Sequence, residues 1–389
     1  MKPGRVLISG AGVAGLSAAF WLSRAGWSVR VVEAAPDLRR GGYMMGLSGP
    51  GYETARRMGL LPKLEARAFA VEENVYRDRR GREIARLRYR DFIRDLPYLA
   101  LLRTDLVREL RDVLVPDVSI AFETRIERIE DRSPDGGTVR ATLSDGSAVE
   151  ADLVIGADGL RSATRRLVFG PDEAFLRPLG YRFAVYDVEA ALEPGVDFLS
   201  YVEPGHMAEY YRLSPTRVAA LHVWRSVGSG PVEPSRRWSL LRDVSRASHP
   251  FVGRHLDLAE AAGLDCVLDD LVLAEADSWS RGRVLLLGDA AHSLTLVSGQ
   301  GAGMAMASAE RLGRALEAGS IEAALRRHEA ELRPAIARLQ GRARRSAAMF
   351  IPASPLAFRL RNAAIRHMPR RWLARYLSSA IREEAMMAQ

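Results

Sequence analysis

The chain has 389 residues, 48% hydrophobic and 27% charged, with one cysteine, a net charge of +8 and a pI of about 9.9. That length allows two or three cores, the lone Cys266 excludes an intrachain disulfide framework, and no apolar run reaches the ~20 residues of a membrane span. The positive charge is nearly all arginine, joined only by Lys2 and Lys63 and interleaved with Glu and Asp; it reads as a solvated surface that favours anionic small molecules rather than a nucleic-acid site. Met1–Gly4 runs straight into an apolar stretch without the layout of a signal peptide, so a cytoplasmic location is expected.

Residues 5–9 (RVLIS) predict a short buried strand. Residues 15–26 predict a helix, with Leu16, Ala19, Phe20 and Leu22 at helical spacing, and 28–33 (SVRVVE) a second strand. This is the strand–helix–strand unit of a parallel sheet. A helix is predicted over 50–60, ending near Gly59, then strand material over 69–90 with a turn at Arg80-Gly81, then a helix over 103–114. Residues 118–130 and 137–143 predict paired strands, and 150–156 (EADLVIG) another buried strand. Alternating, aromatic-bearing stretches at 181–189, 197–203, 207–213 and 217–225 predict an antiparallel sheet with one wet face. Helical segments follow within 235–263, and a buried strand returns at 283–288 (RVLLLG). From 304 the pattern is helical, with breaks expected at Pro334, Pro352, Pro355 and Pro369. The fold class is therefore α/β: a Rossmann-like nucleotide domain (1–70, 101–170 and 276–320) interrupted by an antiparallel-sheet substrate domain (71–100 and 171–275), with C-terminal bracing helices (321–389).

The first chemical motif is Gly10-Ala11-Gly12-Val13-Ala14-Gly15, directly after a strand and opening a helix. Gly10 permits the tight turn, Gly12 lets the backbone approach a pyrophosphate, and Gly15 lets the helix sit close to the strand. The helix start supplies free N–H groups and a positive dipole end. Glu33 closes the second strand about 20 residues on, where a carboxylate accepts hydrogen bonds from a ribose. A bare G-x-G-x-x-G is common; its strand–helix–strand setting together with Glu33 marks a dinucleotide site, without choosing FAD over NAD.

Residues 283–303 (RVLLLGDAAHSLTLVSGQGAG) carry the second motif. Asp289, beside Gly288, sits at the carboxyl end of a strand, where open sheets bind ligands, and suits a polyol hydroxyl such as that of a ribityl chain. Gly299, Gly301 and Gly303 open a helix whose N-terminus suits the anionic edge of a reduced flavin.

With Asp158-Gly159-Leu160-Arg161-Ser162 and Arg165 between them, these motifs stand in the order and spacing of the group A flavoprotein monooxygenases. The chain resembles that family, which includes para-hydroxybenzoate hydroxylase and the tetracycline-degrading monooxygenases, over essentially its whole length. The resemblance implies FAD, bound non-covalently, with Glu33 on the adenosine ribose. Arg39 or Arg40, with Gly42, matches an arginine-glycine stretch after the second strand. Arg103 matches an arginine near the pyrophosphate. Asp158 lies in a motif used for both FAD and NAD(P)H, and Asp289 matches the ribityl–pyrophosphate contact. Ala302 and Gly303 match backbone N–H groups facing the flavin. It also implies NADPH or NADH as reductant, O₂ as co-substrate, and hydroxylation of an aromatic or polyketide-like molecule through a flavin C4a-(hydro)peroxide.

In one place the chain departs from the family. A proline usually follows the G-D-A-A-H segment, and Leu296 stands in its place, so the flavin-adjacent loop Leu296, Val297 and Ser298 is expected to be atypical. A flavin oxidase or dehydrogenase without oxygen insertion, or an atypical oxygenation such as epoxidation or a Baeyer–Villiger reaction, remains an alternative. Tyr201, Tyr211, His222 and Trp224 lie on the alternating strands and are substrate-pocket candidates, although strand aromatics are more often plain core. His292 reads as a packing residue rather than a base. No zinc spacing is present. A small organic substrate is the expected partner, with no nucleic acid and no membrane span, in a monomer or homodimer.

Overall fold

The computed structural model describes residues 4–38, 44–88, 97–133, 137–296, 299–352 and 354–367. Arg5–Ser9, buried from Val6 onward, lies inside a six-stranded sheet. The strand order is Ser280–Arg281, Val284–Leu286, Leu153–Gly156, Arg5–Ser9, Ser28–Val32, Ser119–Ala121, all parallel apart from the first pair. The helix Val13–Arg24 makes the crossover between Arg5–Ser9 and Ser28–Val32, and Gly301–Glu317 packs along it. A Cβ added to Gly288 would lie 2.7 Å from Ala14 Cβ and 3.6 Å from Ala305 Cβ; one added to Gly313 would lie 2.9 Å from Trp21 Cβ. The contacts advance together along both helices, so they run in the same direction. Both N-termini therefore open at the carboxyl end of the parallel sheet, where ligands of such sheets bind.

The predicted 118–130 strand divides between two sheets. Ser119–Ala121 joins the parallel sheet, whereas Ile126–Asp131 pairs antiparallel with Val139–Leu143, and Ala148–Ala151 completes a three-stranded sheet. Glu123, with φ 52°, turns the chain between them. The 150–156 stretch divides in the same way at Asp152, whose carboxylate accepts the Arg5 N–H at 2.7 Å. Alternation alone does not reveal such hand-overs, because both halves present the same apolar pattern.

The second large sheet has seven strands in the order Val267–Ala274, Leu176–Glu189, Arg217–Arg225, His206–Ser214, Phe198–Glu203, Glu73–Arg77, Glu83–Arg88. Its pairings are antiparallel except Phe198–Glu203 with Glu73–Arg77. The expected wet face is absent from its centre: Arg217–Arg225 is buried from Val218 to Trp224. One face, with Tyr186, Tyr201, Tyr210 and Trp224, packs under the helices Pro234–Val244 and Pro250–Ala261 through Leu241, Phe251 and Leu256. The other, with Tyr181, Phe198, Tyr211 and Leu221, packs against Ile351, Met44 and Leu296. Tyr98–Leu102 pairs antiparallel with Met44–Ser48 rather than with this sheet.

The helix Ile321–Phe350 runs through Pro334 without the expected break. Proline removes one intrahelical bond; here Leu332, Ile336 and Leu339 bury in the nucleotide-side core and hold the helix through it. Gln340 Nε2 donates to Ala274 O at 2.7 Å and Ser293 O at 3.2 Å, tying the helix to the end of the strand Val267–Ala274 and to the segment after His292. Pro355 opens the helix Pro355–His367, where a missing N–H costs nothing, and Pro369 lies outside the described residues. No described helix is long and apolar enough to cross a membrane.

Candidate active site

The glycine turn is built as its spacing requires. Gly10 has φ +104°, and a Cβ there would lie 2.5 Å from Ala157 O. At Gly15 a Cβ would lie 1.9 Å from Gly10 O. At Gly12 it would meet nothing within 4 Å. Gly10 and Gly15 are thus required by the protein's own packing, while Gly12 borders open space. Gly12 is also the N-cap of Val13–Arg24 and offers no side-chain cap, so the first N–H groups of that helix, at Val13 and Ala14, have no side-chain acceptor. Glu33 stands at the carboxyl end of Ser28–Val32. Its carboxylate accepts the Ala11 N–H at 2.7 Å and the Ala35 N–H at 2.9 Å. Two bonds leave acceptor capacity over for a further donor.

Gly288, at φ +63°, brings the second motif against Ala14. Asp289 follows, and a Cβ on Gly301 would lie 3.8 Å from its Oδ1. Asp289 is exposed, yet the protein around its carboxyl raises it above the usual range by desolvation, with Arg103 pulling the other way. An exposed carboxylate whose surroundings still disfavour its charge is set to accept hydrogen bonds from a ligand that reaches it. Arg103 opens the helix Arg103–Asp112, and among the described residues no hydrogen bond or ion pair takes up its guanidinium. The helix Gly301–Glu317 starts at Gln300 without a side-chain cap on its N–H groups. Gly51 answers a packing need against this helix start, since a Cβ there would lie 2.3 Å from Gly303 Cα. Two uncapped helix starts, one unpaired arginine and two carboxylates with spare acceptors fit a dinucleotide's polyol and pyrophosphate.

Asp158 is turned into its own loop. It accepts Ser162 Oγ at 2.5 Å, Thr164 N at 2.9 Å and Thr164 Oγ1 at 3.0 Å, and so closes the start of the short helix Ala163–Val168. Arg165 is fully buried and donates to Ala290 O (3.0 Å), Leu160 O (2.7 Å) and Asp172 Oδ1 (2.5 Å). It pins the Asp158 loop to the Gly288–His292 turn. His292 packs at 4.7 Å from Trp279, and burial lowers its pKa to about 3, so it stays neutral in the core. Arg39, Arg40, Gly42, Val297 and Ser298 lie outside the described residues.

The segment after His292 joins the two large sheets. Ser293 Oγ donates to Val272 O at 3.2 Å, Leu294 is buried in the nucleotide-side core, and Leu296 packs on the Tyr211 face of the seven-stranded sheet. Thr295 has φ +62°, a strained conformation for a β-branched residue.

That face separates the substrate candidates. Tyr211 lies on it, whereas Tyr201, His222 and Trp224 lie on the opposite, helix-covered face. His222 is enclosed there, with Tyr186 Oη and His206 Nε2 each 3.2 Å from its ring nitrogens, and burial holds its pKa well below the ordinary value. The Tyr211 side carries polar residues that the sequence reading passed over: Glu209, Ser200 and Asn74. The available signal was phase, for Glu209 is two residues from Tyr211 in a predicted strand and shares its face.

Residues 4–331 match the FAD binding domain family, and the chain belongs to it. It is an FAD-dependent monooxygenase of the aromatic-hydroxylase type, an oxidoreductase of the group A flavoprotein hydroxylases. The 3-amino-4-hydroxybenzoate 2-monooxygenase of Streptomyces cremeus is 33% identical over 370 residues, covering 90% of this chain and 89% of that protein. The crystal structure of tetracycline destructase Tet(51) superposes with a TM-score of 0.79 at 25% identity, over 100% of this chain and 99% of that one. A variant of Klebsiella pneumoniae HpxO, solved in complex with FAD, gives a TM-score of 0.82 at 25% identity, over 97% of this chain and 98% of that one.

Proposed function

We propose that the protein uses NADPH or NADH and O₂ to hydroxylate an aromatic or polyketide-like small molecule at the meeting of its two large sheets. The observation that carries this reading is the convergence of two uncapped helix N-termini on Asp289 and Arg103, beside a segment that reaches the Tyr211 face. Bound FAD supplies the redox chemistry that takes electrons from the nicotinamide and places one atom of O₂ on the substrate. The residues do the holding. Glu33 accepts from the adenosine ribose, the turn Gly10, Gly12, Val13, Ala14 and Gly15 donates N–H groups to the pyrophosphate, and Arg103 opposes its charge. Asp289, presented by Gly288, accepts from the ribityl chain. Gly301, Ala302 and Gly303 direct a helix start at the flavin ring, and Asp158 shapes the neighbouring loop. Leu294 and Leu296 keep water from the reacting atoms.

In this reading residues 1–70, 101–170 and 276–320 form the FAD-binding domain, 71–100 and 171–275 the substrate domain, and 321–389 the bracing part, acting as a monomer or homodimer in the cytoplasm. The S. cremeus relative's name directs the first substrate trials to aminohydroxybenzoates. The test uses ¹⁸O₂ with NAD(P)H and a panel of hydroxyarenes. One labelled oxygen in the product is expected. Unlabelled oxidised product, or reductant consumption yielding only H₂O₂ with every candidate, would identify a dehydrogenase or oxidase instead.

A further inference from the structure

We propose that Glu209 is a substrate-contacting residue that accepts the hydroxyl hydrogen of a phenolic or enolic substrate, with Tyr211, Ser200 and Asn74 holding its carboxylate in place. The proposal rests on the monooxygenase reading and adds the functional group that the substrate must carry.

Glu209 is buried on the sheet face that also meets Leu296. Its Oε2 accepts Tyr211 Oη at 2.8 Å; Ser200 Oγ lies 3.4 Å from its Oε1 and 3.0 Å from Asn74 Oδ1, and the single hydroxyl hydrogen can serve only one of them at a time. Both supporting partners of the carboxylate are neutral hydroxyls, and among the described residues no cation pairs with it. Buried carboxylates are ordinarily paired with a cation or replaced by an apolar residue, because desolvation costs several kcal/mol. Here one full neutral donor, Tyr211, and a shared one, Ser200, leave at least half of the roughly four acceptor positions of the carboxylate open. The fully buried Asn74 Nδ2 beside it has no partner either. A carboxyl and an amide left with spare capacity on the face opposite the helix-packed core are equipped for a polar ligand. Tyr76 from the neighbouring strand, its hydroxyl raised first by burial and then by Glu209, also faces this group, and Arg361 acts on Tyr76 from the helix Pro355–His367.

Burial raises the Glu209 carboxyl to about 7, with the Tyr211 and Ser200 hydrogen bonds pulling it down. Such a group exchanges a proton near neutrality. In the proposed step the substrate O–H bond breaks, its proton forms an O–H bond on Glu209, and the electron pair stays on the substrate oxygen as an oxyanion. No electron leaves the substrate, and the proton returns to solvent when the product departs. The oxyanion enriches the ring carbons ortho and para to it, which makes them acceptors for an electrophilic oxygen atom. Strand order and register set the distance. Ser293 is tied to Val272, and Glu209 lies three strands across, roughly 14 Å at ~4.8 Å per strand, and in register with Val267, about 16 Å along the strand from Val272, so the two stand roughly 20 Å apart. Glu209 therefore addresses a substrate group on the side away from the 293–296 segment.

The test compares 2-naphthol with 2-methoxynaphthalene by calorimetric binding to the FAD-loaded protein across pH. Wild type should prefer the naphthol by about tenfold or more above pH 7, as expected for a hydrogen bond to a charged acceptor. The preference should fade as pH falls through about 7, where Glu209 is protonated. Glu209→Gln should abolish both the preference and its pH dependence with flavin content unchanged. Tyr211→Phe removes one bond to the carboxylate and should move the midpoint to higher pH, an effect that loss of packing alone does not produce. The same preference in wild type and Glu209→Gln, or no binding of either probe at millimolar concentration, overturns the proposal. If it fails while ¹⁸O from O₂ still enters a product, the monooxygenase reading stands; if no label enters but the Glu209-dependent preference is seen, only that reading falls.

Discussion

Gly12 and Gly15 lie in one turn and differ in what they face. Gly12 has φ −82° and open space where a Cβ would stand, so alanine fits the protein itself. Gly15 has the Gly10 carbonyl 1.9 Å from that position. Gly15→Ala should therefore destabilise the FAD-free protein by about 3 kcal/mol, the upper end of overpacking costs. Gly12→Ala should leave the FAD-free melting temperature within about a degree or two and yet lose most of the flavin. Melting curves of flavin-stripped protein, set beside the FAD content of protein as purified, separate the two effects. Equal losses of stability would show that Gly12 is structural. Both glycines were legible in the sequence because a fixed spacing encodes a fixed turn. Arg165 was marked only by the family's motif. It stands beside Arg166 in the same short helix, one fully buried and the other exposed, and the composition of that stretch alone does not distinguish them. Glu209 was hidden for a similar reason, since a lone carboxylate on an alternating strand reads as a solvent-facing position until both sheet faces are known to be covered.

Among the elements, the segment after His292 carries the chain's departure from the family's proline. The conformation of Thr295 is incompatible with a proline at 296. A residue before proline is driven to extended backbone, whereas Thr295 sits at φ +62°. Leu296→Pro should therefore not restore a better-organised oxygen site. It should force Thr295 to extend and pull Leu296 from the Tyr211 face, raising the ratio of H₂O₂ released to NAD(P)H consumed above that of wild type. A lower ratio in the variant would mean that Thr295 is not held in this conformation during turnover. The divided strands at 118–130 and 150–156 and the uninterrupted helix at Pro334 have a common cause. Each was decided by which neighbour covers the residues, and a local pattern carries no record of that neighbour.

For the whole molecule, the helix Ile321–Phe350 and the turn Asp289–His292 are held in the core partly by rings that must stay neutral. His328 is fully buried, its Nε2 2.9 Å from Ser308 Oγ, and burial lowers its pKa to about 4; His292 is lowered to about 3. The ordinary histidine value is 6.5, so between that pH and about 4 the unfolded chain binds protons that the folded chain refuses. Stability conferred by the neutral rings is complete above pH 6.5 and is lost as pH falls toward 4, by roughly 3 kcal/mol for His328 alone. Thermal unfolding across that range should show the decline, and His328→Gln should flatten it by about one proton's slope; an unchanged slope would mean that the ring is not excluded from water. The double covering of the seven-stranded sheet has a consequence for altering the enzyme by directed evolution. Odd positions from 207 to 213 and from 219 to 223 face the Tyr211 side, while the even positions between them belong to the helix-packed core. A combinatorial library confined to the odd positions would explore selectivity while leaving the helix-packed side intact, whereas one drawn from consecutive residues would spend half its diversity on variants that fail to fold.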